Sequence, residues 1–304
     1  MAHSGSKKVI YAALVGNAMI AATKLGAAAF TGSSAMLSEG IHSIVDTGNQ
    51  VLLLIGLSRA RREPDRQHPY GYGKEVYFWS FVVAILIFGV GAGVSIYEGI
   101  KHIQHAEPMV NVRINYLVLA LAFLFEGAAW FFAFKEFSKV RGKRSLFQAV
   151  KESKDPTTFV VLFEDSAAMA GIIVAFVGIG LSQMTGLYWI DGAASVVIGM
   201  ILAVTAWFLA VETKDLLIGE AASPEKIAGI RNLAANLAGV ENVNEVLTLH
   251  MGPEYILVNV SLDFADGMTS AEIEDGVARL TTAIKDEWPR VKKVFVEAEE
   301  YKAP

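Results

Sequence analysis

Apolar residues gather in long, nearly charge-free runs over the first two-thirds of the chain and in short periodic ones over the rest. A bilayer core takes about 20 apolar residues of helix. Six runs reach that length: Val9–Phe30, Ala35–Leu57, Val76–Ile96, Ile114–Phe134, Thr158–Ser182 and Leu187–Val211. The first is too long for a signal-peptide core and has no small-residue cleavage site at its end, so it reads as a retained span. From about Gly219 the period changes. Ser223-Pro224-Glu225 predicts an N-cap, with proline at the first position of a helix running to about Leu237. Val243–His250 and Tyr255–Phe264 predict strands, the second with Ile256, Val258, Val260 and Leu262 on its more apolar face. Thr269 with Glu272 predicts a capping box for a helix ending near Trp288-Pro289, and Val291–Ala298 a last strand. The expected fold class is thus an α-helical membrane domain of six transmembrane helices over 1–212. A small α+β domain of αββαβ order follows over 213–304, with its helices on one side of a three-stranded sheet. A domain so short favours dimerisation through an exposed sheet face or edge.

Charge orients the spans. The loop after span two holds Arg59, Arg61, Arg62, Arg66 and Lys74; the loop after span four holds Lys139, Arg141, Lys143, Arg144, Lys151 and Lys154; Lys7 and Lys8 precede span one. The short loops on the other side are uncharged, so the positive-inside rule places both termini on the cytoplasmic side or its equivalent. A short amphipathic helix is expected near Ser145–Ser153, stopped by Asp155-Pro156. With no presequence evident, a prokaryotic cytoplasmic membrane is the expected location. The composition agrees with a membrane class: 53% hydrophobic and only 19% charged, against about 25% charged in soluble domains. A net charge of −5 gives no reason to expect nucleic-acid binding. Cysteine is absent, which excludes disulfides and thiolate sites; any metal must be held by His, Asp, Glu or backbone oxygen.

Ionisable groups inside spans cost about 2.5–3.5 kcal/mol each on insertion scales, so each asks for a reason. His42 and Asp46, four apart in span two, share one helix face and can bind one ion, or form a polar pair sealed inside the bundle. Imidazole with carboxylate suits zinc, and less selectively manganese, iron, cobalt or nickel. In span five Glu164 and Asp165 point about 100° apart. Asp165 sits deeper and is the better ligand candidate, and Glu164 equally suits an ion pair. Glu126, mid-span four, must face a partner, a cavity or an ion. Asn17, Asn49 and Gln50 read as interhelical hydrogen-bonding groups. Lys24 snorkels or pairs with an acid, and Asp191 fits a helix start. In the inner loop, Asp65 and His68 form either a surface metal site or a solvated turn. His250 is the only histidine of the C-terminal part.

Three segments carry a family resemblance: Ser38-Glu39-Gly40-Ile41-His42-Ser43-Ile44-Val45-Asp46-Thr47-Gly48-Asn49-Gln50, Pro64-Asp65-Arg66-Gln67-His68-Pro69-Tyr70-Gly71-Tyr72-Gly73, and Leu162-Phe163-Glu164-Asp165-Ser166-Ala167-Ala168. With the six spans they resemble the cation diffusion facilitator family, and within it the branch of the mitochondrial zinc transporter nine. The resemblance implies a proton-coupled antiporter of divalent metals, foremost Zn2+ as transported substrate with Mn2+, Fe2+, Co2+ or Ni2+ as alternatives, and H+ as counter-ion. It also implies a homodimer with a metallochaperone-like C-terminal domain. The family's transport site takes two ligands four apart from each of spans two and five. His42, Asp46 and Asp165 match, whereas the fourth position is Val161, leaving Glu126, Glu164 or water to complete the site. In the inner-loop site Asp65 and His68 match, while Tyr72 replaces the last histidine. Lys74 is expected to pair with Asp215 or Glu220. A metal-dependent intramembrane hydrolase is the poorer reading, since no His-Glu-x-x-His helix or activated nucleophile is present. A non-transporting scaffold with a degenerate site is the remaining alternative.

Overall fold

The computed structural model describes residues 3–141 and 145–300. Lys143 and Arg144 of the expected inner loop lie outside them, as do the side chains of Lys7, Lys8, Lys139 and Lys151. The chain divides into two compact units, one of Met1–Leu57, Phe78–Lys151 and Pro156–Thr213, the other of Ser58–Tyr77, Glu152–Asp155 and Lys214–Pro304.

The first unit is built from long helices: α1 (His3–Thr31), α2 (Ser34–Ala60), α3 (Glu75–Leu86) and α4 (Gly93–Gln104), α5 (Val112–Arg141), the short α6 (Leu146–Glu152), α7 (Pro156–Thr185) and α8 (Trp189–Ile218). Among the described residues, five helical runs are long and apolar enough to cross a membrane: Leu14–Thr31, Glu75–Gln104, Val112–Ser138, Pro156–Thr185 and Trp189–Ile218. The sixth expected span, α2, has 27 residues, about 40 Å at the helical rise, so it is long enough. Its composition sets it apart, because Glu39, His42, Asp46, Asn49 and Gln50 dilute its apolar content. Large apolar side chains such as Phe125, Phe132, Val204 and Trp207 stand outward, as a surface against lipid tails requires.

The third span is longer than the sequence pattern implied. Between α3 and α4 the segment Ile87–Ala92 is π-helical, so one extra residue is accommodated without ending the helix. Its second half lies close against α8: a Cβ on Gly99 would stand 2.7 Å from the Gly192 carbonyl oxygen and 2.8 Å from the Val196 amide nitrogen. Only a residue without a side chain fits against backbone at that range.

In the second unit, α9 (Pro224–Ala235) and α10 (Ser270–Glu287) accompany a sheet of order β1-β2-β3, made of Val240–Gly252, Tyr255–Phe264 and Val291–Ala298. β1 and β2 are antiparallel, β2 and β3 parallel. Ile256, Val258, Val260 and Leu262 are buried in a core with Ile230, Ala234, Leu280 and Ile284 of the two helices, as the alternation of β2 implies. The Thr269–Glu272 capping box is formed. Ser223 precedes its helix but its side chain makes no capping bond, and Pro224 alone sets the start. Lys74 departs from expectation. It donates to the carbonyls of Leu217 (3.3 Å) and Ile218 (3.5 Å) at the end of α8, where a cation meets the negative end of the helix. The acids are engaged elsewhere, Glu220 by Lys154 and Asp215 by Lys214.

Two outcomes follow. Gly99→Ala should destabilise the folded protein by about 1–3 kcal/mol through overpacking, and an unchanged melting temperature in detergent would contradict the close approach. His250 is buried, with no hydrogen-bond partner for Nδ1 among the described residues, and desolvation holds its imidazole down to about 4, against 6.5 in the open chain. The unfolded chain therefore binds the extra proton between those values, so stability is full above 6.5 and falls as pH drops toward 4. Amide exchange in β1 and β2, corrected for intrinsic rates, should accelerate over that window, and His250→Gln should flatten the dependence.

Candidate functional site

On α2, Glu39, His42, Asp46 and Asn49 recur at helical spacing and turn one polar stripe toward the neighbouring helices. The His42 ring is buried, with Nδ1 3.3 Å from Asp46 Oδ1. Neither ring nitrogen has a hydrogen-bond partner among the described residues, and Asp46 Oδ1 has none either. Buried donors and acceptors are seldom left open, so the pair has spare capacity for a ligand. Asn49 Nδ2 donates to Glu164 Oε1 at 2.6 Å, tying α2 to α7, and the Glu164 carboxyl interacts with Asp46.

Beside this pair lies a cavity of about 150 Å³, lined by Asn17 of α1, Asp46 and Gln50 of α2, Glu126 of α5, and Val161, Glu164 and Asp165 of α7. At about 30 Å³ per water it holds several waters or a hydrated ion. The structure thus brings four of the proposed ligands to one space, with His42 next to Asp46. Both acids of α7 reach it despite their angular separation, and Glu164, not Asp165 as expected, is the more deeply buried of the two. Val161 lines the same wall, so the family's fourth ligand position is present in space and apolar in chemistry. Glu126 is engaged: its Oε1 accepts from Lys24 Nζ at 2.7 Å, and Lys24 also donates to Glu39 Oε2 at 3.0 Å. Among the described residues no three histidine or acidic groups are drawn together tightly enough to cage a metal. The arrangement is a polar chamber with carboxylates on its walls and the His42 imidazole beside Asp46, donor types that suit a divalent transition metal.

Asp65 and His68 lie in the other unit and are half exposed, His68 Nδ1 being 3.5 Å from Asp65 Oδ1. The loop is organised by its own bonds. Asp65 Oδ1 accepts from the amides of Gln67 (2.9 Å) and His68 (2.7 Å), and Oδ2 from the Tyr72 hydroxyl at 2.5 Å. The Tyr72 hydroxyl, helped by the His68 amide, holds the Asp65 carboxyl below its usual range. Tyr72, standing where a ligand was expected, therefore occupies an oxygen that a metal would need.

Glu39 was not weighed as a functional residue, although it stands three before His42 and seven before Asp46 on one helix face; that spacing is the signal that finds it. Asp191 does start α8, yet it caps another helix. Its carboxylate accepts from Ser33 Oγ at 2.8 Å and from the Ser34 amide at 2.5 Å, holding the N-terminus of α2.

Comparison with known proteins gives this geometry a setting. Residues 10–218 match the cation efflux transmembrane domain. The chain is 34% identical over 262 residues to "Proton-coupled zinc antiporter SLC30A9, mitochondrial" of Xenopus laevis, covering 86% of this chain and 47% of that protein. It is 31% identical over 261 residues to "Metal tolerance protein C4" of Arabidopsis thaliana, covering 85% of this chain and 57% of that protein. It is 21% identical to "Manganese efflux system protein MneP" of Bacillus subtilis, covering 97% and 96% of the two chains. The chain therefore spans about half the length of the animal and plant relatives.

Proposed function

The chain belongs to the cation efflux family, as the motif resemblance implied, and from that premise we propose that it is a proton-coupled antiporter moving a divalent transition metal across a membrane. The observation that carries this reading is the single cavity onto which Asp46, Glu126, Glu164 and Asp165 converge from three helices. Asp46 and Asp165 are the charged ligands, His42 the neutral one, and Glu126 the fourth, with Glu164 as second choice. Zn2+ is the favoured cargo, on the donor set and on the names of the animal relatives. Mn2+ is the second reading, which the bacterial manganese efflux relative favours.

α2 is counted as the sixth span: its polar stripe faces other helices, so its length decides. The basic inner loops put both termini on the cytoplasmic side or its equivalent. Metal enters from there and binds deprotonated carboxylates and neutral imidazole; protons arriving from the opposite side compete it off. Coupling follows if the chamber opens to one side at a time. The C-terminal αββαβ part serves dimerisation and regulation. No step makes or breaks a covalent bond, so the reading is of a transporter rather than an enzyme.

Asp46→Ala or Asp165→Ala should abolish zinc uptake into proteoliposomes driven by a proton gradient; full activity in either would remove that residue from the site. Val161→Asp restores a second ligand four residues before Asp165 and should tighten zinc binding by about tenfold, the effect of roughly 1.4 kcal/mol. Unchanged affinity measured by calorimetry would mean that position 161 does not reach the metal.

A further inference from the structure

Lys24 is the one cation buried completely among the described residues of the first unit, and it is held by two carboxylates that differ. Glu39 is fully buried, and a Cβ on Gly171 of α7 would collide with its Oε1; that site is closed around it. Glu126 keeps 16% exposure. Among the described residues Glu39 Oε1 and Glu126 Oε2 both lack a hydrogen-bond partner, and of the two acids only Glu126 lines the cavity. A clamp whose only work was to join α1, α2 and α5 would gain from closing the protein around both acids. Here one acid is fixed and the other has its free oxygen beside the space that receives the cargo.

Resting on the transport reading, we infer that Lys24 is a tethered cation that competes with the incoming metal for Glu126 and so sets the affinity of the site, while Glu39 keeps Lys24 paired when Glu126 leaves it. Without metal, Lys24 holds Glu126 back. A dication in the chamber attracts the carboxylate more strongly than the single ammonium charge at equal distance, and Glu126 transfers to it. The ammonium is not stranded, because Glu39 remains 3.0 Å away; a buried cation with one acid would have to stay on it. When the metal departs, Lys24 recovers Glu126 and helps to expel the cargo. Lys24 is accordingly a positioning residue, acting on the metal through Glu126.

The test is zinc binding and zinc uptake by the full chain in which Lys24→Met is combined with Glu39→Gln. One cation and one anion go together, so the formal charge of the cluster is unchanged while the metal loses its competitor for Glu126. The expected result is a zinc Kd lower by about tenfold or more and a lower maximal uptake rate. In that background Glu126→Gln should then weaken binding more than it does in the unsubstituted chain. A Kd that is unchanged or raised in the double variant overturns the inference, as does an equal effect of Glu126→Gln in both backgrounds. If the double variant fails to fold, zinc-induced infrared difference spectra of the unsubstituted chain decide. They should contain a carboxylate band that Glu126→Gln removes, and its absence overturns the proposal. Failure of the unsubstituted chain to bind either zinc or manganese would overturn the transport reading itself, and this inference with it.

Discussion

In the apolar interior of a bilayer no water screens a charge, so a carboxylate or ammonium persists there only with a partner of opposite sign, a hydrogen-bond donor or a wet cavity. That constraint orders the helical unit of this protein. Lys24 is matched by Glu39 and Glu126, Glu164 by Asn49, and Asp191 by Ser33 and the amides at the start of α2. Each of these bonds joins different helices, so the polar groups that would be costly against lipid fix how α1, α2, α5, α7 and α8 face one another. Apolar packing between helices in lipid has little directional preference; the charges supply it.

Several of the groups left incompletely matched gather at the proposed site. His42, Asp46 Oδ1 and Glu126 Oε2 lack partners among the described residues, and they lie in or beside a polar chamber. A site with every donor and acceptor saturated would bind nothing, and a tight cage would release its cargo slowly. The chamber lies between these limits, because its acids are near one another but not drawn together. A transporter needs that compromise, since its cargo must leave as readily as it enters.

Much of this was legible in the amino-acid order. Runs of about 20 apolar residues mark spans because the bilayer fixes their length; among the described residues five of the six expected runs meet that measure, and α2, diluted by its polar stripe, does not. The capping box at Thr269 and the alternation in β2 are local signals, and both are realised. What was not legible depends on contacts far apart in sequence. Nothing near Lys24 names Glu126, 102 residues away, and nothing near Asp191 says that it caps α2 instead of its own helix. Lys74 was expected to seek an acid and instead meets helix-end carbonyls, a partner that sequence charge counts overlook. The π-helical turn at Ile87–Ala92 has no pattern of its own in an all-apolar stretch. The family pattern names candidate ligand positions, and the four-residue spacing already puts Val161 on the helix face of Asp165; only the folded chain brings Glu126 of α5 and Asp46 of α2 to the same cavity.

The proposed seat of the metal is the chamber between α2, α5 and α7. A structure of the protein crystallised with zinc, with the ion located by anomalous scattering, tests it most directly. The expected result is one strong peak inside the chamber within bonding distance of Asp46, Asp165 and His42, with Glu126 turned from Lys24 toward it. A peak confined to the Asp65–His68 loop, with the chamber empty, would contradict it.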